Sequence, residues 1–115
     1  MEKDCLFCKI LSGEIPAQKV YEDESVFAFK DINPQAPLHV VIIPKKHIPC
    51  LSDAGAQDIE VLGAVQLAAA KIAAQSGQAQ NGFRVVNNCG KEAGQTVFHI
   101  HYHLLAGRQF GWPPG

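Results

Sequence analysis

Long hydrophobic runs are missing from this sequence. No window approaches the roughly 20 apolar residues of a membrane-spanning helix. The first residues, MEKDCLFCKI, lack the basic region and long apolar segment of a secretory signal. The default expectation is a cytoplasmic chain with no membrane partner. Charge of one sign is missing too. Ten Lys and Arg stand against eleven Asp and Glu, for a net charge of −1, and only Arg84 and Arg108 are arginine. Coating a nucleic-acid polymer takes a basic stripe, so that class is excluded. A small anionic ligand needs only a few local donors and is not. Cysteine is sparse, with Cys5, Cys8, Cys50 and Cys89. In a reducing compartment these are thiols or metal ligands rather than disulfides. Repeats and low-complexity tracts are absent.

What is there is one small domain, residues 1–115, with 47% apolar residues to build a core. Leu6, Phe7, Ile10 and Leu11 have helical spacing, so 4–11 reads as a short helix with Asp4 as N-cap and Gly13 near its stop. Lys19–Tyr21 and Val26–Phe29 read as strands around an acidic turn. Asn33-Pro34 and Ala36-Pro37 make 31–37 a loop. The β-branched run in 39–43, ended by Pro44, reads as a central strand buried on both faces. Ile59, Leu62, Val65, Ala69 and Ile72 mark a long helix ending near Gln75, with Ser52 or Asp53 as its cap. Phe83–Asn87 and Val97–Leu105 complete the strands. The order gives an α+β fold, a meandering antiparallel sheet covered by the long helix.

The informative stretch is Val97-Phe98-His99-Ile100-His101-Tyr102-His103-Leu104-Leu105, which holds three of the five histidines. Side chains alternate along a strand. His99, His101 and His103 therefore share one face, and Phe98, Ile100, Tyr102 and Leu104 share the other. Three readings compete. A wet strand face rich in histidine explains a single imidazole better than three. A three-histidine zinc site is awkward, because ligands in line on one strand converge poorly on a tetrahedral ion. Nucleophilic catalysis fits: imidazole keeps a neutral fraction at pH 7, and one nitrogen can attack while the other holds a proton.

These residues resemble the histidine triad family, whose signature is His-X-His-X-His followed by apolar residues. The segments FCKILSGEIPA, YEDE, AFKDINPQAPLHVVIIPKKHI, GQTVFHIHYHLL and GRQFGWPPG are similar to its Hint branch of nucleotide-binding proteins, over nearly the whole chain. The resemblance implies a HIT-like α+β fold: a five-stranded antiparallel sheet with one long and one short helix, and a ten-stranded sheet across a homodimer. It implies hydrolysis of purine nucleoside 5′-phosphoramidates through a nucleotidyl-histidine. In that reading His101 is the nucleophile, and His103 and His39 flank it. His99 orients it or is simply a buried structural histidine. Gly94 and Gln95 amides, the Thr96 hydroxyl and Asn88 contact phosphate, and Asp31 takes the ribose hydroxyls. Leu6, Phe7, Ile10, Phe29 and Ile32 line the purine slot. Trp112 reaches toward the partner's site or packs at the dimer edge. Two alternatives are a dinucleoside polyphosphate hydrolase, disfavoured by the tail, and a nucleotide-binding regulator or scaffold. No organic cofactor is implied.

Cys5 and Cys8 form a C-x-x-C pair without the following βαβ unit of a thioredoxin-like motif or a second pair for a zinc ribbon. Some microbial relatives hold a structural zinc ion with this pair, the histidine after the basic doublet and the first triad histidine. The corresponding residues are Cys5, Cys8, His47 and His99. Cys50 and Cys89 have no assigned role.

Overall fold

A computed structural model describes residues 4–115. Helix α1 is Leu6–Ser12, followed by strands β1 Lys19–Glu22, β2 Val26–Lys30 and β3 Leu38–Pro44. Single 3-10 turns at Leu51–Asp53 and Ala56–Asp58 lead into helix α2, Ile59–Gln75, and then β4 Phe83–Asn87 and β5 Tyr102–Ala106. The five strands form one antiparallel sheet in the order β1-β2-β3-β5-β4. The expected plain meander is therefore corrected. After α2 the chain places β4 at the edge, and β5 returns to fill the gap beside β3. No helix among the described residues is long and apolar enough to cross a membrane.

The sheet has two covered faces. On one, Val26, Ala28, Val40, Ile42, Ile100, Tyr102 and Leu104 pack against Val65, Ala68, Ala69, Ile72 and Ala73 of α2. Alanine on that helix lets it sit close to the strands. On the other, Phe29, Val41 and Ile43 pack with Cys5, Phe7 and Cys8 at α1. All but the first residue of β3 are buried, as a β-branched run covered on both faces should be.

Three boundaries differ from the sequence-based expectation, each because a side chain or loop bonds the backbone there. Helix α1 is capped by Cys5, not Asp4; the Cys5 sulfur accepts the Cys8 N–H at 3.3 Å. Gly13 closes the helix at φ +87°, a region that favours glycine. Helix α2 starts at Ile59, not at Ser52 or Asp53, whose side chains are engaged by the Cys50 thiol, each at 3.1 Å. The buried Asp58 carboxylate instead accepts the Gly55 N–H at 3.0 Å and the Lys46 ammonium at 2.6 Å. The last strand begins at Tyr102, not Val97. Before it, Asn87 Nδ2 donates to the His101 carbonyl at 2.9 Å, and the Ile100 N–H reaches the Ile48 carbonyl at 2.6 Å. Side-chain and loop bonds thus replace the ladder over 97–101. Phe98 is 53% exposed, so it does not share the buried face of Ile100, Tyr102 and Leu104.

Ile42 is fully buried at the centre of the sheet, between β2 and β5 and under α2. Ile42→Ala is expected to cost about 2–5 kcal/mol of stability, read as a lower urea midpoint with an unchanged slope. A midpoint within error of the parent would contradict this packing.

Candidate active site

The site begins with the pairing of β3 and β5. Val41 lies opposite His103 and Ile42 opposite Tyr102. His39, two residues before Val41, is then diagonal to His103 on the same face. Its Nε2 lies 2.8 Å from His103 Nδ1. The rings of His101 and His103 are 5.3 Å apart by centroid. Residues 97–101 run on from β5 without the ladder, yet His99, His101 and His103 keep to the face away from α2.

Hydrogen-bond partners fix which nitrogen of each imidazole carries the proton. The Gln35 N–H donates to His39 Nδ1 at 3.0 Å, so that nitrogen is an acceptor. Neutral His39 then carries its proton on Nε2 and donates to His103 Nδ1. Neutral His103 in turn holds its proton on Nε2. His101 Nδ1–H donates to the His99 carbonyl at 2.8 Å, which leaves Nε2 with a free lone pair. The orienting contact on His101 comes from the His99 backbone. The His99 imidazole instead donates from Nε2 to the Pro44 carbonyl at 2.8 Å.

Burial keeps these rings neutral. It pushes His103 down to about 4, helped by the neighbouring His101 and His39, against the opposing pull of Asp31. Burial likewise brings His99 to about 4. His101 and His39 also move down through burial, with Asp31 opposing in both. Asp31 Oδ2 is 3.4 Å from His39 Nε2 and 3.9 Å from His103 Nδ1, while Oδ1 accepts the Asn33 N–H at 2.8 Å.

His101 and His103 open into a cavity of about 540 Å³. Among the residues expected to contact a nucleotide, Leu6, Phe7, Ile10, Phe29, Asp31, Ile32, Gly94 and Thr96 line it. Sequence reading missed Ile15 to Gln18, Lys30, Val41 and Val97, which come from the segment after α1, β2, β3 and the segment before β5. Phe7 meets His101 edge-on at 5.0 Å and Phe29 at 5.6 Å. Ile32 stands fully in solvent at the rim rather than within a slot.

Three of the expected nucleotide-contacting residues, Gln95, Asn88 and Trp112, lie outside the lining. The Gln95 side chain is buried as a brace: its oxygen accepts the Gly90 N–H, and its nitrogen donates to the Pro49 and Val97 carbonyls. The Gly94 and Gln95 amides donate to the Lys91 and Gly90 carbonyls at 3.0 Å each, so the loop itself uses the two expected phosphate donors. Asn88 sits just past β4 and outside the cavity. Its neighbour Asn87 instead pins the His101 backbone. Trp112 is 84% exposed on the tail.

A second cluster backs onto the first. Cys5 and Cys8 Sγ are 3.4 and 3.7 Å from His99 Nδ1, Cys8 Sγ is 3.5 Å from His47 Nδ1, and the two Nδ1 atoms are 3.1 Å apart. Tetrahedral zinc, with bonds of about 2.0–2.3 Å, spaces its ligand atoms about 3.3–3.8 Å apart. The four residues fit such an ion. The His99 hydrogen bond to Pro44 leaves Nδ1 unprotonated, as a ligand must be.

The depressed histidines set a pH dependence. Unfolded imidazoles titrate near 6.5, so between about 4 and 6.5 the unfolded chain binds more protons and stability rises with pH. Stability is expected to be complete above about 6.5 and to decline as pH falls toward 4. A denaturant midpoint flat across that interval, or a His103 ring resonance titrating above 6, would contradict the burial argument.

Known proteins share this sequence pattern and fold. The family model described as HIT domain matches residues 12–110. An uncharacterised HIT-like protein of Synechocystis is 54% identical over 115 residues, covering all of both chains. A purine nucleoside phosphoramidase of Escherichia coli is 47% identical over 111 residues, 96% of this chain and 93% of that one. Among solved structures, a HIT family hydrolase from Legionella pneumophila superposes with a TM-score of 0.95 at 52% identity, covering 97% of this chain and 100% of that one. A histidine triad protein from Clostridium difficile gives 0.93 at 48% identity, covering 96% of each. With the three histidines leading into and on β5 and matches over nearly its full length, this chain belongs to the HIT domain family.

Proposed function

We propose that the chain is a Hint-type hydrolase that cleaves the P–N bond of purine nucleoside 5′-phosphoramidates. The observation that carries this reading is His101: a buried, neutral imidazole with Nδ1–H tied to a carbonyl and a free Nε2, beside a mostly apolar cavity wide enough for a nucleoside. The name of the Escherichia coli relative supports the substrate class.

In this mechanism His101 Nε2 attacks the α-phosphorus and the P–N bond to the amine breaks. The amine takes a proton and leaves. Water then displaces His101 from phosphorus, releasing the nucleoside monophosphate and restoring the imidazole. The His39–His103 relay points a donor, His103 Nε2–H, at a phosphoryl oxygen. The Thr96 hydroxyl and the Thr96 and Val97 amides, which have no protein acceptor among the described residues, supply neutral donors on the same wall. Asp31 accepts from the ribose hydroxyls, and Phe7, Ile10 and Phe29 hold the purine.

Two assembly features belong to the same reading. Zinc at Cys5, Cys8, His47 and His99 would have four protein ligands and no open position, so it would tie α1 to the triad segment without joining the chemistry. A second copy would extend the sheet from an unpaired edge such as β4 and place its Trp112 near this cavity.

Turnover of an adenosine 5′-phosphoramidate with a fluorescent amine is expected to fall by more than about a hundredfold in His101→Ala. Absence of wild-type turnover across a range of amines would sink the enzyme reading, and faster hydrolysis of a diadenosine polyphosphate would move it to another substrate. Native mass spectrometry is expected to find one zinc per chain in untagged protein, lost in Cys8→Ser. A substoichiometric content insensitive to that substitution would end the zinc proposal. Sizing should give about twice the 12.5 kDa chain mass.

A further inference from the structure

The other two cysteines also meet. Cys50 precedes the turn at Leu51–Asp53, and Cys89 follows Asn88 in the loop after β4. Their sulfurs flank one hydroxyl: Cys50 Sγ is 3.1 Å and Cys89 Sγ 3.7 Å from Ser52 Oγ. Each thiol is near enough to alter the other's acidity. Both are free and only partly buried, within reach of a small oxidant. Among the described residues neither belongs to a cluster able to hold a metal ion.

The two segments are held side by side before any bond forms. Gln95 Nε2 donates to the Pro49 carbonyl at 2.8 Å, and Gln95 Oε1 accepts the Gly90 N–H at 2.8 Å. That one side chain clamps the residue before Cys50 to the residue after Cys89. Closing a cross-link here orders little additional chain. Gly90, at φ +89°, gives the loop beside Cys89 backbone freedom that other residues lack.

We propose that Cys50 and Cys89 are an oxidative modification site that forms a reversible disulfide on reaction with hydrogen peroxide. Their surroundings divide the two roles. The Ser52 backbone and hydroxyl, then Cys50 and the Leu51 backbone, draw Cys89 toward the thiolate. At Cys50 the Ser52 hydroxyl pulls the same way, but the Asp53 carboxylate, burial and Cys89 outweigh it and keep the thiol protonated. The Cys50 S–H donates to Asp53 Oδ2 at 3.1 Å.

The Cys89 thiolate attacks one peroxide oxygen and the O–O bond breaks, giving a Cys89 sulfenic acid and hydroxide. The Cys50 sulfur then attacks the Cys89 sulfur. The S–O bond breaks, the S–S bond forms, and the Cys50 proton, passed through Asp53, leaves with the sulfenic hydroxyl as water. The peroxide gains the two electrons that the thiols lose. The bond locks the loop that carries Asn88 against the segment after β3.

The test reads the bond itself and is independent of any catalytic activity. The purified protein is treated with near-stoichiometric hydrogen peroxide, remaining thiols are alkylated, and the peptides are mapped. The expected product is a peptide joining Cys50 to Cys89, lighter by two hydrogens and reversed by dithiothreitol. In Cys50→Ser, dimedone should trap a sulfenic acid on Cys89; in Cys89→Ser neither product should form. Oxidation confined to Cys5 and Cys8, a bond between chains, or wild-type Cys89 passing directly to sulfinic acid would each overturn the proposal. The wild-type map decides the matter even if a variant folds poorly.

Discussion

The pairing of Val41 with His103 across β3 and β5 is the constraint on which the rest of the molecule depends. Strand side chains alternate, so this register sends Val40, Ile42, Tyr102 and Leu104 to the α2 face and leaves His39 and His103 on the other. A slip of one residue would push imidazoles among isoleucine and alanine and turn Leu104 to the opposite face. The apolar contacts under α2 therefore hold the catalytic geometry without touching it. The position of β5, bonded on both sides, adds rigidity that an edge strand would lack.

His99 and His101 are two positions apart on one face, yet they serve different surroundings because different carbonyls choose their tautomers. Pro44 takes the Nε2 proton of His99 and leaves its Nδ1 to the thiols and His47. The His99 carbonyl takes the Nδ1 proton of His101 and leaves its Nε2 free. Phe7 lies edge-on to both rings, at 5.9 and 5.0 Å, and stands between the sulfur cluster and the cavity. One short helix thus contributes to both, through Cys5 and Cys8 for one and Phe7 and Ile10 for the other.

Much of this was legible because it follows from local periodicity. Alternation placed the three histidines on one face, and the helical stripe through Val65, Ala69 and Ile72 identified the buried side of α2. What local pattern cannot carry is a bond between distant residues. The start of α2 depends on Lys46 reaching Asp58, and the loss of the ladder before Tyr102 depends on Asn87 reaching the His101 carbonyl. Gly94 and Gln95 looked like phosphate donors because a glycine loop offers amides. Only the folded loop reveals that Lys91 and Gly90 already accept those protons.

The chain's near balance of charge has its counterpart in the site. The cavity lining holds one lysine and one carboxylate, Lys30 and Asp31, beside two imidazoles. The ring centroids of His39 and His101 lie 5.1 and 5.3 Å from that of His103. Three cations at that spacing would repel one another and require costly desolvation. Burial removes the protons, and the same loss supplies the lone pair that a nucleophile needs. In the proposed mechanism a phosphoryl group entering such a site would meet fixed neutral N–H and O–H donors rather than mobile cations, and these need no reorganisation as charge develops. In the proposed mechanism, anion recognition and nucleophilicity then rest on one physical cause, the burial of the imidazoles on the α1 face of the sheet.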